Sequence, residues 1–245
     1  MQTADIKTAD GVCPSYVYHP QGDGPWPSVL MLMDGPGMRP AIRAVAKRLA
    51  GQGYYVLLPN LFYRSGPYAP IDAAKVFSDK ALKEQHRETY MAKATPKAVM
   101  SDVPAFLDAL AAAPQVQAGP VGVVGYCMGG RLALIAAGTY PDRFAAAASY
   151  HGGGLANDTP SSPHLLASKM KAKIYVGGAT DDANFPADMK ARLEAALTLA
   201  GVEHTIETYP ARHGWVLSDM PVFDADEAEH HWRTLVPFLD SALKG

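Results

Sequence analysis

The 245-residue sequence contains only two cysteines, Cys13 and Cys127, so neither a disulfide framework nor a cysteine zinc site is expected. It also lacks an apolar run long enough to cross a membrane. An excess of charge of one sign is missing too, because the net charge is only −2. Such a chain has no field that attracts nucleic acid or an anionic membrane. These absences leave a small molecule as the expected partner, with no metal and no cofactor.

The first seven residues lack the basic and apolar pattern of a secretory signal. A reducing cytoplasm also suits a free thiol, so we predict a cytoplasmic protein. Hydrophobic residues make up 48% of the chain and charged residues 19%, which is typical of a globular enzyme large enough for a well-buried core. We therefore predict a single domain over residues 1–245, as a monomer or a small homo-oligomer.

Short apolar runs alternate with amphipathic segments, which is typical of an α/β protein with a mostly parallel sheet and helices on both faces. Strands are predicted at residues 28–33, 54–58, 121–125, 144–150, 173–178 and 204–209. Helical spacing of apolar residues is found at about residues 42–51, 99–110, 130–138, 187–200 and 224–239. Residues 61–96 are polar and rich in charge, and we interpret them as an excursion over the active-site cleft.

The segment Gly125-Tyr126-Cys127-Met128-Gly129 lies between an apolar run and an alanine-rich helical segment. This is the layout of a nucleophile elbow, G-x-S-x-G, with cysteine in place of serine. The turn from strand to helix is so tight that the second residue on either side of the nucleophile must lack a side chain, and both are glycine. The helix dipole and the free N–H groups of the first turn favour a thiolate. The pattern therefore predicts a nucleophile at Cys127 rather than a buried structural cysteine.

A thiol nucleophile needs a base, and the base needs an acid that orients it. In a doubly wound sheet these groups lie in loops at the carboxyl ends of strands. His213 and the pair Asp181 and Asp182 lie in such loops, and the order Cys, Asp, His is that of α/β-hydrolases. His151 also follows a predicted strand and is the alternative base. Position along the chain distinguishes only weakly between the two aspartates.

From about residue 27 to residue 232 the sequence resembles the dienelactone hydrolase family of α/β-hydrolases. Three motifs carry the resemblance: Gly125-Tyr126-Cys127-Met128-Gly129-Gly130, Asp182 with Phe185-Pro186, and Ala211-Arg212-His213-Gly214. The resemblance implies the α/β-hydrolase fold and a triad of Cys127, Asp182 and His213 that opens a cyclic or aryl ester through a thioester. It selects Asp182 because the family's aspartate stands four residues before a proline.

The same resemblance implies roles around the nucleophile. Asp34 follows the first long core strand, where family members carry a carboxylate that keeps the resting thiol neutral. The backbone N–H groups of Gly35 and Met128 would form the oxyanion hole.

Substrate binding is implied in the same way. Arg64 looks like the family arginine that binds a substrate carboxylate, since a guanidinium grips a carboxylate with two hydrogen bonds. The family's second arginine stands four residues after the histidine, where this chain has Leu217. Half of the carboxylate clamp is therefore missing, unless Arg212 replaces it.

A thiolate readily attacks lactones and activated esters, whereas an amide needs stronger acid assistance for its leaving group. Aromatic residues expected near the cleft suit a small ring-bearing substrate; they are Phe62, Tyr63, Tyr68, Phe185 and Trp215. We predict a hydrolase of small lactones or activated esters of the carboxymethylenebutenolidase type. The alternatives are a carboxylesterase with another small substrate, a catalytically silent binding module of the same fold, and a redox-sensing thiol with Cys13 as its partner.

Overall fold

The computed structural model describes residues 2–244 and contains an eight-stranded mixed sheet. The order across the sheet is β1-β2-β4-β3-β5-β6-β7-β8. Strands β3 to β8 run parallel, and β1 and β2 form an antiparallel hairpin whose second strand pairs with β4. The strands are β1 (Gln2–Thr8), β2 (Gly11–Tyr18), β3 (Ser28–Leu32), β4 (Tyr55–Pro59), β5 (Val121–Tyr126), β6 (Phe144–Tyr150), β7 (Lys173–Asp181) and β8 (His204–Arg212).

Seven α-helices accompany the sheet within residues 2–244. They are α1 (Pro40–Ala50), α2 (Ala73–Ser78), α3 (Lys80–Thr89), α4 (Pro96–Ala112), α5 (Met128–Thr139), α6 (Ala187–Leu199) and α7 (Ala225–Leu243). The α/β class and the mostly parallel sheet are confirmed. The N-terminal hairpin and α2 are additions to the sequence prediction, because neither carries a long apolar pattern.

Helices cover both faces of the sheet, as predicted. Every residue of β3, β4 and β5 is buried, which explains why these strands are apolar throughout instead of alternating. A side chain at Gly122 would meet Leu239 and Leu243 of α7, whereas one at Gly125 would meet α5. Successive strand residues point to opposite faces, so α7 and α5 pack on opposite sides of β5.

The predicted site residues lie at the carboxyl edge of the parallel strands. Cys127 follows β5, Asp182 follows β7 and His213 follows β8. Strands β7 and β8 extend to Asp181 and Arg212, several residues beyond the predicted ends, and this extension carries both loops to the sheet edge. Helices α2 and α3 belong to the segment between β4 and α4. Over residues 2–244, no helix combines the length and the apolar character that a membrane crossing requires.

Candidate active site

Cys127 occupies a strained turn between β5 and α5. Its φ is 51° and its ψ is −113°, a conformation that L-residues rarely adopt. A Cβ atom at Gly125 would lie 2.0 Å from the carbonyl oxygen of Gly129, and one at Gly129 would lie 2.2 Å from the carbonyl oxygen of Leu32. Backbone atoms cannot give way to such contacts, so this turn requires both glycines. The close packing fixes the partly exposed thiol of Cys127 at the start of α5.

A continuous hydrogen-bond chain joins the three residues of the predicted triad. His213 Nε2 lies 3.1 Å from Cys127 Sγ, and His213 Nδ1 lies 2.7 Å from Asp182 Oδ2. The other oxygen of Asp182 accepts hydrogen bonds from the backbone N–H and the side-chain amide of Asn184. Asp181 is exposed and faces Arg212 at 3.5 Å. The structure therefore brings Asp182, and not Asp181, to the histidine.

The two hydrogen-bond partners of His213 favour the protonated form of its imidazole. Burial by itself lowers the pKa of His213, but the Cys127 sulfur and the Asp182 carboxylate outweigh burial and raise it to about 10. Burial likewise raises the pKa of Asp182, and the hydrogen bond from His213 outweighs it, so that the pKa lies below the ordinary value. The imidazole thus lies between a carboxylate on one side and a sulfur on the other.

His151, the alternative base, also lines the cleft, but it makes no hydrogen bond to the Cys127 thiol. The two imidazole rings meet edge to face with their centroids 5.2 Å apart. Burial and the neighbouring His213 hold the pKa of His151 well below its ordinary value, so the ring is neutral. Neither ring nitrogen of His151 has a hydrogen-bond partner among the described residues. The geometry therefore separates the two histidines in favour of His213 as the partner of Cys127.

A cleft of about 520 Å³ opens over Cys127 and His213. We call the side formed by Cys127, Met128 and His213 the sheet wall. The opposite side, which we call the excursion wall, is formed by six residues of the segment 61–96: Phe77, Lys80, Lys83, Glu84, Arg87 and Met91. A larger groove of about 760 Å³ lies between the end of β2 and α1, and none of the predicted site residues lines it. The cleft at the sheet edge is thus the cavity that contains the predicted chemistry.

The two backbone N–H groups predicted to form an oxyanion hole lie at or beside the cleft and have no partner within the protein. Met128 is the first residue of α5, and Gly35 lies between Asp34 and Pro36, which both line the cleft. Over the described residues, neither the N–H of Gly35 nor that of Met128 donates to another protein group. Buried or partly buried N–H groups are normally paired, so two free donors at one cleft indicate a place for a ligand oxygen.

Asp34 lies in the cleft, but its carboxylate is held by a residue that the sequence did not single out. Arg39 donates from Nη1 and Nη2 to the two oxygens of Asp34, at 2.5 and 2.9 Å. The same guanidinium donates to both oxygens of Asp219, at 2.6 and 3.0 Å. Arg39 is 1% exposed, and the two carboxylates raise its pKa against the effect of burial. It therefore fastens Asp34 to the loop that follows His213.

Arg64 does not reach the cleft, which corrects its predicted role in substrate binding. Its guanidinium donates to both oxygens of Asp102, at 2.7 Å each, and to Asp10 at 2.8 Å. Asp102 is fully buried, and an unpaired carboxylate there would be very costly, so Arg64 serves to neutralise it. Arg212 points toward exposed Asp181 and does not replace the missing clamp.

Trp215 is likewise displaced from its predicted place against the substrate. Gly214 has a φ of +101° and turns the chain back under the histidine loop, which leaves Trp215 fully buried. The indole stacks on Tyr209 and meets the edge of His151. Leu217 is also fully buried. The other aromatic residues expected near the substrate do not line the cleft, and these are Phe62, Tyr63, Tyr68 and Phe185.

Cys13 differs from Cys127 in its burial and in the groups around its sulfur. It lies on β2, is fully buried, and donates its thiol hydrogen to the carbonyl oxygen of Asn60 at 3.5 Å. Burial raises the pKa of the Cys13 thiol to about 12. Both cysteines are free. A buried thiol of this kind is inert, which argues against the pairing that a redox sensor needs.

The sequence reasoning missed the residues of the excursion wall and Arg39. Lys80 and Lys83 recur on one face of α3, and their positive charge was the available signal. Arg39 and Asp219 are 180 positions apart, and no local pattern joins them.

Within residues 2–244, no group of three or more His, Cys, Asp or Glu side chains is arranged to hold a metal ion.

Comparison with known proteins gives the same assignment along nearly the whole chain. The family model described as "Dienelactone hydrolase family" matches residues 13–243. A Synechocystis sp. protein, provisionally named a carboxymethylenebutenolidase, is 26% identical over 260 residues, covering 99% of this chain and all of the relative. A provisionally named carboxymethylenebutenolidase of Escherichia coli O157:H7 is 30% identical over 237 residues, covering 92% of this chain and 81% of the relative.

A crystal structure from Klebsiella pneumoniae, provisionally described as a dienelactone hydrolase, superposes with a TM-score of 0.83 at 22% identity. The superposition covers 97% of this chain and 96% of that one, and it supports the fold. The family match and the relatives agree with the family resemblance noted in the sequence, and the shared architecture agrees with the predicted fold. The chain belongs to the dienelactone hydrolase family and is a hydrolase that acts on carboxylic ester bonds.

Proposed function

We propose that the protein hydrolyses small lactones or activated carboxylic esters through a thioester on Cys127. The observation that carries the proposal is the hydrogen-bond chain from Asp182 through His213 to Cys127, which ends in the cleft. A nucleophile, a base and an orienting acid in hydrogen-bond contact are what acyl transfer requires. The names of the curated relatives agree with this class of substrate.

In the acylation step, Cys127 Sγ attacks the carbonyl carbon of the ester. The carbonyl oxygen becomes an oxyanion, and the free N–H groups of Gly35 and Met128 are the donors that would stabilise it. When the tetrahedral intermediate collapses, the C–O bond to the leaving group breaks. His213 Nε2 gives its proton to the leaving alkoxide. In a lactone, the leaving oxygen stays attached to the acyl chain, so the ring opens without loss of a fragment.

In the deacylation step, neutral His213 takes a proton from a water molecule that attacks the thioester carbon. A second oxyanion forms in the same position, and its collapse breaks the C–S bond and returns the sulfur as a thiolate beside the imidazolium. The product is a carboxylic acid. Asp182 keeps the imidazole in the orientation that both proton transfers use, with Nδ1 directed toward the carboxylate.

The test compares Cys127→Ala with the wild-type enzyme on an aryl acetate and on a neutral lactone. Turnover of both substrates should be lost, and wild-type enzyme quenched during turnover should carry an acetyl group on Cys127 in a peptide mass map. Cys13→Ala is the matched control, because this thiol is fully buried on β2 and far from the elbow in the chain. Full turnover by Cys127→Ala would overturn the proposal, and so would an acetyl group at another residue.

A further inference from the structure

The turn Asp34–Gly37, which follows β3 by one residue, carries the N–H of Gly35 and is held at three consecutive peptide groups. The carbonyl oxygen of Asp34 accepts a hydrogen bond from the N–H of Gly37 at 3.0 Å. The carbonyl oxygen of Gly35 lies 2.8 Å from His86 Nε2, and that of Pro36 accepts from the hydroxyl of Tyr68. The first bond lies within the turn, and the other two come from the segment 61–96.

The bond from His86 has a defined direction. A carbonyl oxygen only accepts, so Nε2 carries the hydrogen and the ring is the donor to Gly35. His86 is only 5% exposed, although it lies on the otherwise polar helix α3. A buried imidazole at this place is therefore held by a specific partner and is not a solvated surface residue.

Aromatic rings fix the orientation of this imidazole. The ring of His86 lies 5.2 Å from that of Tyr90 and 5.7 Å from that of Phe62, measured between centroids. The rings of Phe77 and Tyr68 lie 6.1 and 6.3 Å away. Rings packed from several directions leave the imidazole little freedom to rotate, so its N–H stays directed at the turn.

The turn needs external support because its own sequence gives it little. Pro36 fixes its own φ, but Gly35 has no side chain and Gly37 has a φ of +79°, so rotation about these two glycines is less restricted than at other residues. The peptide between Asp34 and Gly35 supplies the free N–H, and it keeps its direction only while the adjoining peptides keep theirs. A rotated peptide would present a carbonyl oxygen to the developing oxyanion and raise the barrier to acylation.

We propose that His86 is a positioning residue that holds the turn Asp34–Gly37 with the N–H of Gly35 directed into the cleft. The excursion thereby completes the oxyanion hole, in addition to forming one wall of the cleft. This inference rests on the proposed function, since it concerns the step in which Cys127 attacks an ester carbonyl. His86 makes no hydrogen bond to the thiol or to the histidine of the triad.

The test measures two reactions of the same thiol in the variants His86→Leu and His86→Gln. In His86→Leu, kcat for an aryl acetate should fall on the order of 10- to 100-fold, because a poorly placed oxyanion donor is nearly as harmful as a missing one. Alkylation of Cys127 by iodoacetamide should stay within about twofold of wild type, because that displacement forms no oxyanion. In His86→Gln, the side-chain amide still donates to Gly35, and kcat should recover to within about fivefold of wild type.

Tyr90→Leu is the matched control for loosened packing, since Tyr90 contacts the ring of His86 but makes no hydrogen bond to the turn. It should lower the melting temperature about as much as His86→Leu and lower kcat less than about threefold. Tyr68→Phe removes only the hydroxyl that donates to the carbonyl oxygen of Pro36. It provides a second test of how the turn is supported if His86→Leu does not fold. Its kcat should fall by about three- to tenfold with alkylation unchanged.

Equal loss of kcat in His86→Leu and Tyr90→Leu would overturn the inference, as would alkylation that slows in parallel with turnover. Where His86→Leu does not fold, wild-type kcat in Tyr68→Phe overturns it. Cys127→Ala, assayed alongside, separates this outcome from failure of the proposed function. If Cys127→Ala is inactive while His86→Leu has full kcat, only the role of His86 is wrong. If Cys127→Ala is active, the thioester mechanism itself is wrong.

Discussion

The sheet wall and the excursion wall of the cleft are built by different means. Cys127 is placed by backbone contacts so close that a single methyl group at Gly125 or Gly129 would collide with a carbonyl oxygen. The excursion wall is placed by side chains of a partly exposed segment, among them His86 and Tyr68 at the turn beside the cleft. One wall is therefore sensitive to backbone geometry and the other to individual side-chain contacts.

This difference corresponds to a division of labour in the proposed reaction. Bond making and breaking need positions fixed within a fraction of an ångström, and a core strand joined to a helix provides them. Recognition of a variable acyl group needs side chains that differ between related proteins, and a long connection on the surface accommodates such changes. Substitutions in the two walls should therefore differ in effect, and the largest loss of stability is expected at the sheet wall.

Gly129→Ala should destroy the sheet wall. The new methyl group would lie 2.2 Å from the carbonyl oxygen of Leu32 and 2.6 Å from that of Met33, and both are core backbone atoms. The free energy of unfolding should fall by more than about 4 kcal/mol, which few single-domain proteins survive. Gly51→Ala is the control, because Gly51 has an ordinary helical φ of −61°. Denaturant titration should show a change under about 1 kcal/mol there, and a similar small change for Gly129→Ala contradicts the steric explanation.

Arg39→Met should remove the ionic link between Asp34, in the turn Asp34–Gly37, and Asp219, in the loop that follows His213. The variant leaves Asp34, which is 2% exposed, without its cationic partner. Loss of one member of a buried pair costs about 3–5 kcal/mol. Arg192→Met removes a half-exposed arginine paired with exposed Asp158 and should cost less than about 1 kcal/mol. Urea unfolding of both variants measures the difference, and equal costs would show that Arg39 is dispensable.

Alkaline pH should weaken the ionic interactions of His213 with Asp182 and Cys127 in the sheet wall. Because the pKa of His213 is raised from 6.5 to about 10, its stabilising contribution is complete below pH 6.5 and is lost as pH rises to about 10. The melting temperature of wild type should therefore approach that of His213→Gln over this interval. Turnover of an aryl acetate should also fall above about pH 10, because His213 no longer has a proton for the leaving group. A difference in melting temperature that is constant from pH 6.5 to 10 contradicts the assignment.

The smallest effect is expected at the excursion wall. Lys80 and Lys83 line the cleft beside Glu84, whose charge Arg87 balances, so an ester that carries a carboxylate should bind better than its neutral analogue. In the double variant Lys80→Ala with Lys83→Ala, KM for the carboxylated ester should rise about three- to tenfold at low salt, and less at 0.15 M salt, where screening is strong. Lys75→Ala, which removes an exposed lysine of α2 outside the cleft, is the control. An equal rise in KM for the neutral ester would exclude charge recognition.

The sheet wall was readable from the sequence because its signals are local. Glycines at fixed spacing around Cys127 predict the tight turn. A strand precedes each of Cys127, Asp182 and His213. Parallel strands end at the same edge of a sheet, so three residues spread over the chain from 127 to 213 were expected in one place. The structure brings them within hydrogen-bond distance.

The excursion wall and the support of the turn could not be read in this way. His86 binds a carbonyl 51 positions away, and Arg39 binds a carboxylate 180 positions away, so neither pair has a spacing to recognise. Arg64 and Trp215 failed as substrate ligands for the converse reason. Each has a suitable chemical group, but the guanidinium of Arg64 is paired with buried Asp102. The indole of Trp215 is buried after the turn at Gly214. Which polar groups pair across the core is decided by tertiary packing, to which residue type is an incomplete guide.

The contrast between the two cysteines has a practical consequence for counting functional molecules. Cys13 is sealed in the sheet with its pKa raised to about 12, so a disulfide reagent that releases a coloured thiolate should consume one equivalent per folded chain. Unfolding in denaturant should release the second equivalent, because the chain has two cysteines in all. The ratio of fast to total colour then gives the fraction of a preparation with an accessible nucleophile. Specific activities from different preparations or variants can be expressed per competent site on that basis.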